Sequence, residues 1–256
     1  MLLLLLVACS PSPVSAQEEV QEPADISTAP PLVQTVAMAF PPPEGAERAL
    51  TDGFGSWLRT LPLRPADEPV RTYDGRVVPH HARVVDLPLV PGDLQQCADS
   101  LIRLRAEWLR KTGQAISFHA TSGDALPWSR WQAGERPYVS GNKVRWRAGT
   151  EGGWEEYLAA VFTWAGTASL QRLDTVPVVE PRGGDLFVAG GSPGHAVQIL
   201  DLATRGGHTY ALIGEGFMPA QSFHIELGPE EGWWPVDEGL SLPYWSFEAS
   251  ALRRWR

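Results

Sequence analysis

The sequence predicts an α+β fold, in which helices in the first half precede a largely antiparallel β region. Apolar residues recur at helical spacing between residues 93 and 111, and short β-prone segments separated by turns fill the C-terminal third. The chain has 256 residues, of which 43% are apolar and 20% charged, so it is long enough to bury a core. Helices followed by a run of strands are typical of α+β domains.

The first 44 residues are predicted to lie outside this fold. Met1–Ala8 is an apolar run that ends directly before Cys9, and it is typical of the end of a secretory signal peptide. It is shorter than the roughly 20 apolar residues that span a bilayer. We therefore predict a signal peptide over 1–8, a disordered Pro-rich tether over 9–44 and a single domain over 45–256. The alternative for residues 32–40 is an arm packed on the domain.

The predicted elements follow in chain order. A short helix is expected around Phe54–Leu61, and a strand over Arg83–Leu89. Asp93–Lys111 is the strongest helix, with Asp93 as its cap and Gly113 at its left-handed end. Its apolar stripe comprises Leu94, Cys97, Leu101, Leu104 and Trp108.

A short strand, Ile116–Ala120, precedes a Gly- and Trp-rich insert over 121–153, which is expected to form part of a substrate groove. Trp154–Leu173 is a second helical pattern. The last strands are predicted at Val176–Val179, Leu186–Val188, His195–Asp201, His208–Glu215 and Phe223–Leu227. Arg205-Gly206-Gly207 is typical of a turn joining the third and fourth of these.

Composition excludes several classes of protein. Two cysteines cannot form a disulfide framework or a zinc ribbon. A net charge of −9 argues against nucleic acid as a partner. His80-His81 and His119 give no metal-ligand spacing, so neither a metal site nor a cofactor is expected.

Cys97 is the candidate nucleophile. It lies near the start of the strongest helix, where unpaired N–H groups and the helix dipole favour a thiolate. A cysteine there, with a histidine on a later strand, is the arrangement of papain-like catalysis. The alternative is that Cys97 is a small buried hydrophobic residue of the apolar stripe.

Gly184–Val188 and Gly194–Ile199 resemble the strand, loop and strand that present the histidine of NlpC-type cell-wall peptidases, which are papain-like. The resemblance implies a papain-like domain with the Cys-bearing helix packed on an antiparallel sheet. It also implies Cys97 as nucleophile, His195 as base and Glu215 as the group that orients His195. If Leu202 faced His208 across the turn, Glu215 would lie opposite His195, whereas a one-residue slip would send Glu215 to the other face.

Four further residues are candidates for the oxyanion or substrate site. Gln95 or Gln96 can donate to an oxyanion, as a glutamine does in papain, or can be a solvated residue of the first helical turn. Gln221 and His224 follow the third strand of the predicted meander, and either line the same cleft or are structural.

Leu6–Cys9 resembles the lipobox of bacterial lipoproteins, in which the cysteine is diacylated. With Ser10 next, the resemblance implies a lipid anchor in the outer membrane, facing the periplasm or the cell surface. A closer resemblance, to a family of uncharacterised bacterial lipoproteins, extends over nearly all of residues 50–256. It is carried by the blocks Asp93-Leu94-Gln95-Gln96-Cys97-Ala98-Asp99, Arg103-Leu104-Arg105-Ala106-Glu107, Gly191-Ser192-Pro193-Gly194-His195-Ala196 and Met218-Pro219-Ala220-Gln221.

Three functions are compatible with these patterns. The first is a cysteine amidohydrolase or peptidase acting on cell-wall peptides, with peptidoglycan as the nearest amide substrate. The second is a non-catalytic envelope lipoprotein that binds cell wall or protein partners. The third is acyl transfer or lipid-ester hydrolysis by the same Cys–His pair.

Overall fold

The computed structural model describes residues 33–51, 53–80 and 82–256. The predicted signal peptide, the lipidation site Cys9 and the tether as far as residue 32 lie outside the described residues, as does His81. Within the described ranges, no helix combines the length and the apolar character needed to cross a membrane.

The helices and strands alternate along the chain as follows. The helices are α1 (Val36–Ala39), α2 (Gly53–Arg59), α3 (Cys97–Lys111), α4 (Trp128–Gln132), α5 (Trp154–Trp164) and α6 (Thr167–Ser169), with a π-helical turn at Leu170–Asp174 and a 3-10 turn at Ala249–Ala251. The strands are β1 (Glu47–Arg48), β2 (Arg83–Val84), β3 (Ser117–His119), β4 (Ala125–Pro127), β5 (Glu135–Ser140), β6 (Lys143–Ala148), β7 (Thr175–Pro177), β8 (Leu186–Ala189), β9 (His195–Arg205), β10 (His208–Glu215), β11 (His224–Glu226), β12 (Trp234–Pro235), β13 (Gly239–Ser241), β14 (Ser246–Glu248) and β15 (Leu252–Trp255).

The main sheet is antiparallel throughout, which confirms the α+β class. Its strand order is β2-β11-β10-β9-β8-β15-β7, with β1 paired to β9 and β12 to β10. Three hairpins, β3–β4, β5–β6 and β13–β14, stand apart from it. The insert over 121–153 supplies β4, α4 and the β5–β6 hairpin.

Helix α3 begins at Cys97, four residues after the predicted start. Gln96 is the N-cap with an extended backbone, and its N–H donates to the Asp99 carboxylate over 3.1 Å. The carboxylate of Asp93, predicted as the cap, instead accepts the N–H of Ala220 over 2.6 Å. Gly113 has a positive φ of 67° after the last turn, as predicted. Cys97 is therefore the first residue of the helix, where N–H groups have no helical partner.

Two other predicted elements are shorter than expected. The pattern over 154–173 is interrupted because Ala165 is extended, with ψ 172°, before Gly166 opens the next turn. The strand predicted over Arg83–Leu89 is reduced to β2, which lies at the sheet edge beside the three-residue strand β11. For β2, pairing at the sheet edge rather than local propensity decides the length.

Apolar residues cover both faces of the sheet. On one face, Leu101 and Leu104 of α3 belong to the same buried cluster as Leu200 and Leu212 of the sheet. On the other face, a second cluster contains Phe187, Val197, Ile213, Leu240 and Phe247, so the β13–β14 hairpin covers it. The Cys-bearing helix is thus fixed against an antiparallel sheet, as expected.

Residues 33–44 pack on the domain instead of continuing as a tether. Val36 is fully buried in the first cluster, together with Phe40. Further along, Arg48 and Arg59 both form ion pairs with the buried carboxylate of Asp201 in β9. Among the described residues, the domain therefore includes 33–44, in agreement with the alternative of a packed arm over the described part of 32–40.

Candidate functional site

His195 and Glu215 meet where β9 begins and β10 ends. The Nε2 atom of His195 lies 2.8 Å from Oε2 of Glu215, and both side chains are almost completely buried. The sequence-predicted base and orienting group are therefore in direct contact.

The register that produces this contact differs from the one expected. Leu202 pairs with Ala211, not with His208, so the simple pairing that would put Glu215 directly opposite His195 is wrong. The turn is tighter than assumed, because His208 already pairs with the last residue of β9.

A β-bulge restores the contact. The pairing shifts by one residue at Leu200, after which Gly214 pairs with Gln198 and Glu215 lies diagonally across from His195. Without the extra residue, Glu215 would face the position of Gln198 and point to the opposite side of the sheet from His195. The bulge thus sets which face of the sheet carries the Glu215 carboxylate.

Cys97 completes the group from the N-terminus of α3. Its free thiol is half-buried and lies close enough to the His195 ring to favour the charged form of that ring. Burial opposes the charged imidazolium, but hydrogen bonds and charge from Cys97 and Glu215 outweigh it and raise the pKa of His195 to about 9. Because Nε2 faces Glu215, Nδ1 is the ring nitrogen left for the thiol.

Glu215 is held by two further side chains. The hydroxyl of Tyr244 donates to its Oε1, and Nε2 of His224 lies 3.5 Å from the same atom. Burial alone would raise the pKa of Glu215, but hydrogen bonds from His195, His224 and Tyr244 lower it to about 2. The carboxylate therefore stays ionised beside His195 at all ordinary pH values.

Glycine allows helix and sheet to approach closely here. A Cβ atom on Gly216 would lie 2.4 Å from Oγ of Ser100 and 3.0 Å from the carbonyl of Gln96. The chain after Glu215 can therefore touch the first turn of α3 only where no side chain is present.

Gly194, directly before His195, gives a testable prediction. A Cβ there would lie 2.4 Å from Oγ1 of Thr167 and 2.6 Å from the carbonyl of Gly191. Gly194→Ala is therefore expected to cost about 1–3 kcal/mol of unfolding free energy, measured by urea denaturation. Gly166→Ala is the matched control, because its Cβ meets no atom within 4 Å and its φ is extended. Equal losses in both variants would contradict the prediction.

Two hydrogen-bond donors near the start of α3 have no partner among the described residues. In the described part of the chain, the Cys97 N–H makes no hydrogen bond. Gln95 is fully buried, and its Oε1 accepts from the Val90 N–H and from Arg103, which leaves Nε2 without a partner among the described residues. Gln96 instead donates its side chain to Asp93, so Gln95 is the stronger oxyanion candidate of the two.

A cleft opens beside Glu215 and has a volume of about 570 Å³. Phe217 packs edge-on against both His195 and Tyr244, which places this wall next to the His195 ring. Gln221 lines the cleft, whereas His224 is 1% exposed and acts on Glu215 from within. The lining residues are Thr72, Arg76, Val77, Val78, Pro79, His80, Phe217, Met218, Pro219, Gln221 and Tyr244.

The aromatic surroundings of His195 were not predicted. Tyr244, Trp245 and Phe247 lie with ring centroids 5.5–6.0 Å from the imidazole. These residues come from the β13–β14 hairpin, about 50 positions after His195, and no local pattern in the sequence connects the two.

The tryptophans of the insert form a separate feature. Trp128 and Trp131 pack with Tyr157 and line a pocket of about 680 Å³. The guanidinium of Arg130 stacks on Trp146. This pocket shares no lining residue with the cleft beside Glu215. The lining of that cleft therefore does not support the expectation that the insert forms part of the substrate groove.

Three potential metal ligands come together behind the cleft. The ligand atoms of His80, His224 and Glu226 all lie within 4.8 Å of one another. Sequence spacing could not indicate this, because His80 is about 140 positions from the other two and reaches them across β2 and β11.

Comparison with known proteins gives a family and no activity. Neither the curated proteins nor the solved structures contain a significant match to the chain. A family model described as Domain of unknown function (4846) matches residues 36–254, nearly the whole of the described fold. The chain therefore belongs to this family, whose domain begins in the packed N-terminal arm and ends in β15.

Proposed function

We propose that the protein is a papain-like cysteine hydrolase of amide bonds, with Cys97 as nucleophile, His195 as base and Glu215 as orienting group. The observation that carries the proposal is the buried His195–Glu215 pair, whose imidazole lies beside Cys97 at the first residue of α3. A thiol, an imidazole and a carboxylate in that order are the parts of a cysteine-based triad.

The chemistry follows from the order of the contacts. In the reactive state the thiol proton is already on His195, so that an imidazolium stands beside the Cys97 thiolate, and the sulfur attacks the carbonyl carbon of the amide. The imidazolium then donates that proton to the leaving amine, so the C–N bond breaks and a thioester remains on Cys97. Water attacks the thioester with His195 as base, which releases the acid and restores the thiol.

The surrounding groups support each step. Glu215 holds the His195 ring through Nε2 and favours its charged form, while Tyr244 and His224 hold Glu215. The Cys97 N–H and the unpartnered Nε2 of Gln95 are the donors proposed for the oxyanion. Such donors act most strongly in a site that excludes water.

The cleft beside Glu215 is the proposed substrate site. Val77 and Met218 expose apolar surface at its rim, and Arg76 adds a positive charge that can pair with a carboxylate. A short peptide with small apolar side chains and a free carboxylate matches these features. With the proposed lipid anchor in the outer membrane through Cys9, peptidoglycan stem peptides are the nearest such substrate.

A direct test is capture of the thioester. The full chain is incubated with muropeptides and with a panel of peptide amides and esters, and the Cys97 peptide is analysed by mass spectrometry after acid quenching. We expect an acyl adduct on Cys97, with none on Cys9 in unlipidated protein. A Cys97 that carries no adduct and a panel that stays intact would contradict the proposal and favour a non-catalytic binding module.

A lipid acyl group is the second candidate substrate. The exposed apolar residues Val77 and Met218 at the cleft rim favour it, since they would contact an acyl chain as readily as a peptide side chain. Faster thioester formation from long-chain acyl esters than from acetyl esters would assign the site to acyl transfer or lipid-ester hydrolysis.

A further inference from the structure

A second group of polar side chains adjoins the triad without belonging to it. His224 and Glu226 are alternate residues of β11 and lie on one face of the strand, and both are buried. His80 reaches them from the segment before β2, and its Nε2 lies 2.6 Å from Oε2 of Glu226. The two imidazole rings meet edge to face, with centroids 5.3 Å apart.

The hydrogen bonds of His224 decide which ring nitrogen is offered to this group. Its Nδ1 lies 2.9 Å from the carbonyl oxygen of Ser222, which can only accept, so Nδ1 carries a proton. The other ring nitrogen, Nε2, then faces two carboxylates: Oε1 of Glu215 at 3.5 Å and Oε2 of Glu226 at 3.9 Å. Between two carboxylates this nitrogen carries either a proton, as in the contact with Glu215, or a metal ion, and the second state would bring His224 together with the other ligand atoms of the group.

An N–H donated to a backbone carbonyl is also how metal-binding histidines are commonly oriented. We propose that His80, His224 and Glu226 bind a divalent transition-metal ion of the zinc type in the wall of the cleft. Two imidazoles and one carboxylate are a known zinc ligand set that leaves a fourth position open.

The geometry fits such an ion after small side-chain adjustments. Ligand atoms around tetrahedral zinc, with bonds of about 2.0–2.2 Å, lie about 3.3 Å apart. The present separations run from 2.6 Å between His80 and Glu226 to at most 4.8 Å within the group. The His80 side chain is 32% exposed and lines the cleft, which gives the ion an entry path and an open position for water or a bound molecule.

Metal binding would also change the contacts of Glu215 in the proposed triad. His224 now shares its Nε2 between Glu215 and Glu226. Once that nitrogen binds an ion, Glu215 keeps only His195 and Tyr244 as partners in the described part of the chain.

The test uses the full chain in a Cys9→Ser background, freed of metal by a chelator. Zn²⁺ is titrated by calorimetry, and Co²⁺ by absorption spectroscopy. We expect one ion per chain, with the visible bands of tetrahedral cobalt and no thiolate-to-cobalt band. His80→Ala and Glu226→Gln should each weaken binding by at least about tenfold, with folding checked by circular dichroism.

Two controls separate this site from others. His119→Ala removes a histidine matched to His80, since it is 34% exposed and pairs with Asp174 over 2.7 Å, and it should leave binding unchanged. Cys97→Ala should also leave it unchanged. Absence of binding, equal binding in the His80→Ala and Glu226→Gln variants, or loss of binding in Cys97→Ala would each overturn the proposal. None of these readouts depends on hydrolysis.

Discussion

Alanine in place of Cys97 is expected to lower kcat/KM for the preferred amide or ester by about 10⁴-fold or more. The sulfur is the atom that forms the covalent bond, and among the described residues no other thiol is present to replace it. Substrate binding should persist, because the cleft wall is formed by other residues. The measurement is steady-state hydrolysis on the panel, with binding to the inactive variant followed by calorimetry.

The control for this result is a double replacement. Because Cys97 and His195 act in one step, removing both should cost about as much as removing either alone. Cys9→Ser should retain full activity, since Cys9 precedes the domain. Substantial activity in Cys97→Ala would contradict the triad. So would a double variant whose loss of kcat/KM equals the product of the losses in the two single variants, because the two residues would then act independently.

The parts of the site that local patterns encode were predictable. Apolar spacing indicated α3, and the Arg205-Gly206-Gly207 turn indicated the β9–β10 hairpin, whose second strand has the predicted bounds. Because a nucleophile at a helix start and a histidine at a strand start are each local features, Cys97 and His195 could be selected from the sequence.

The remaining parts depend on contacts between distant segments. The bulge at Leu200 sets the face on which Glu215 lies, yet nothing in the sequence around Leu200 marks an extra residue. Tyr244 reaches Glu215 from 29 positions further along the chain. His80 meets Glu226 from 146 positions away. Pairing register and long-range approach are decided by the packing of the whole sheet, which periodicity does not report.

The structure defines the surroundings of Glu215 more closely than the sequence does. The sequence offered it as an orienting group that depended on an uncertain register, and the structure gives it three partners on two oxygen atoms. A buried carboxylate with this many donors stays negatively charged, and this charge favours the protonated form of His195. The electrostatics of the pair can therefore be tested separately from catalysis.

The pH dependence of stability should report the charge on His195. Its pKa is raised to about 9 in the folded protein by Cys97 and Glu215 against the opposing effect of burial, from an ordinary value of 6.5. A raised histidine pKa stabilises the fold fully below pH 6.5, and that contribution disappears as the pH rises through 9. The rise in this pKa from 6.5 to about 9 corresponds to about 3 kcal/mol of unfolding free energy.

Urea unfolding between pH 6 and pH 10 measures this contribution. The free energy of unfolding of the wild type should fall across the window by up to about 3 kcal/mol more than that of His195→Gln, which cannot titrate. Glu215→Gln keeps the hydrogen-bonding shape but removes the negative charge, so its fall should be smaller and centred at lower pH. Curves for the wild type and for His195→Gln that run parallel from pH 6 to pH 10 would contradict a charged His195 in the folded state.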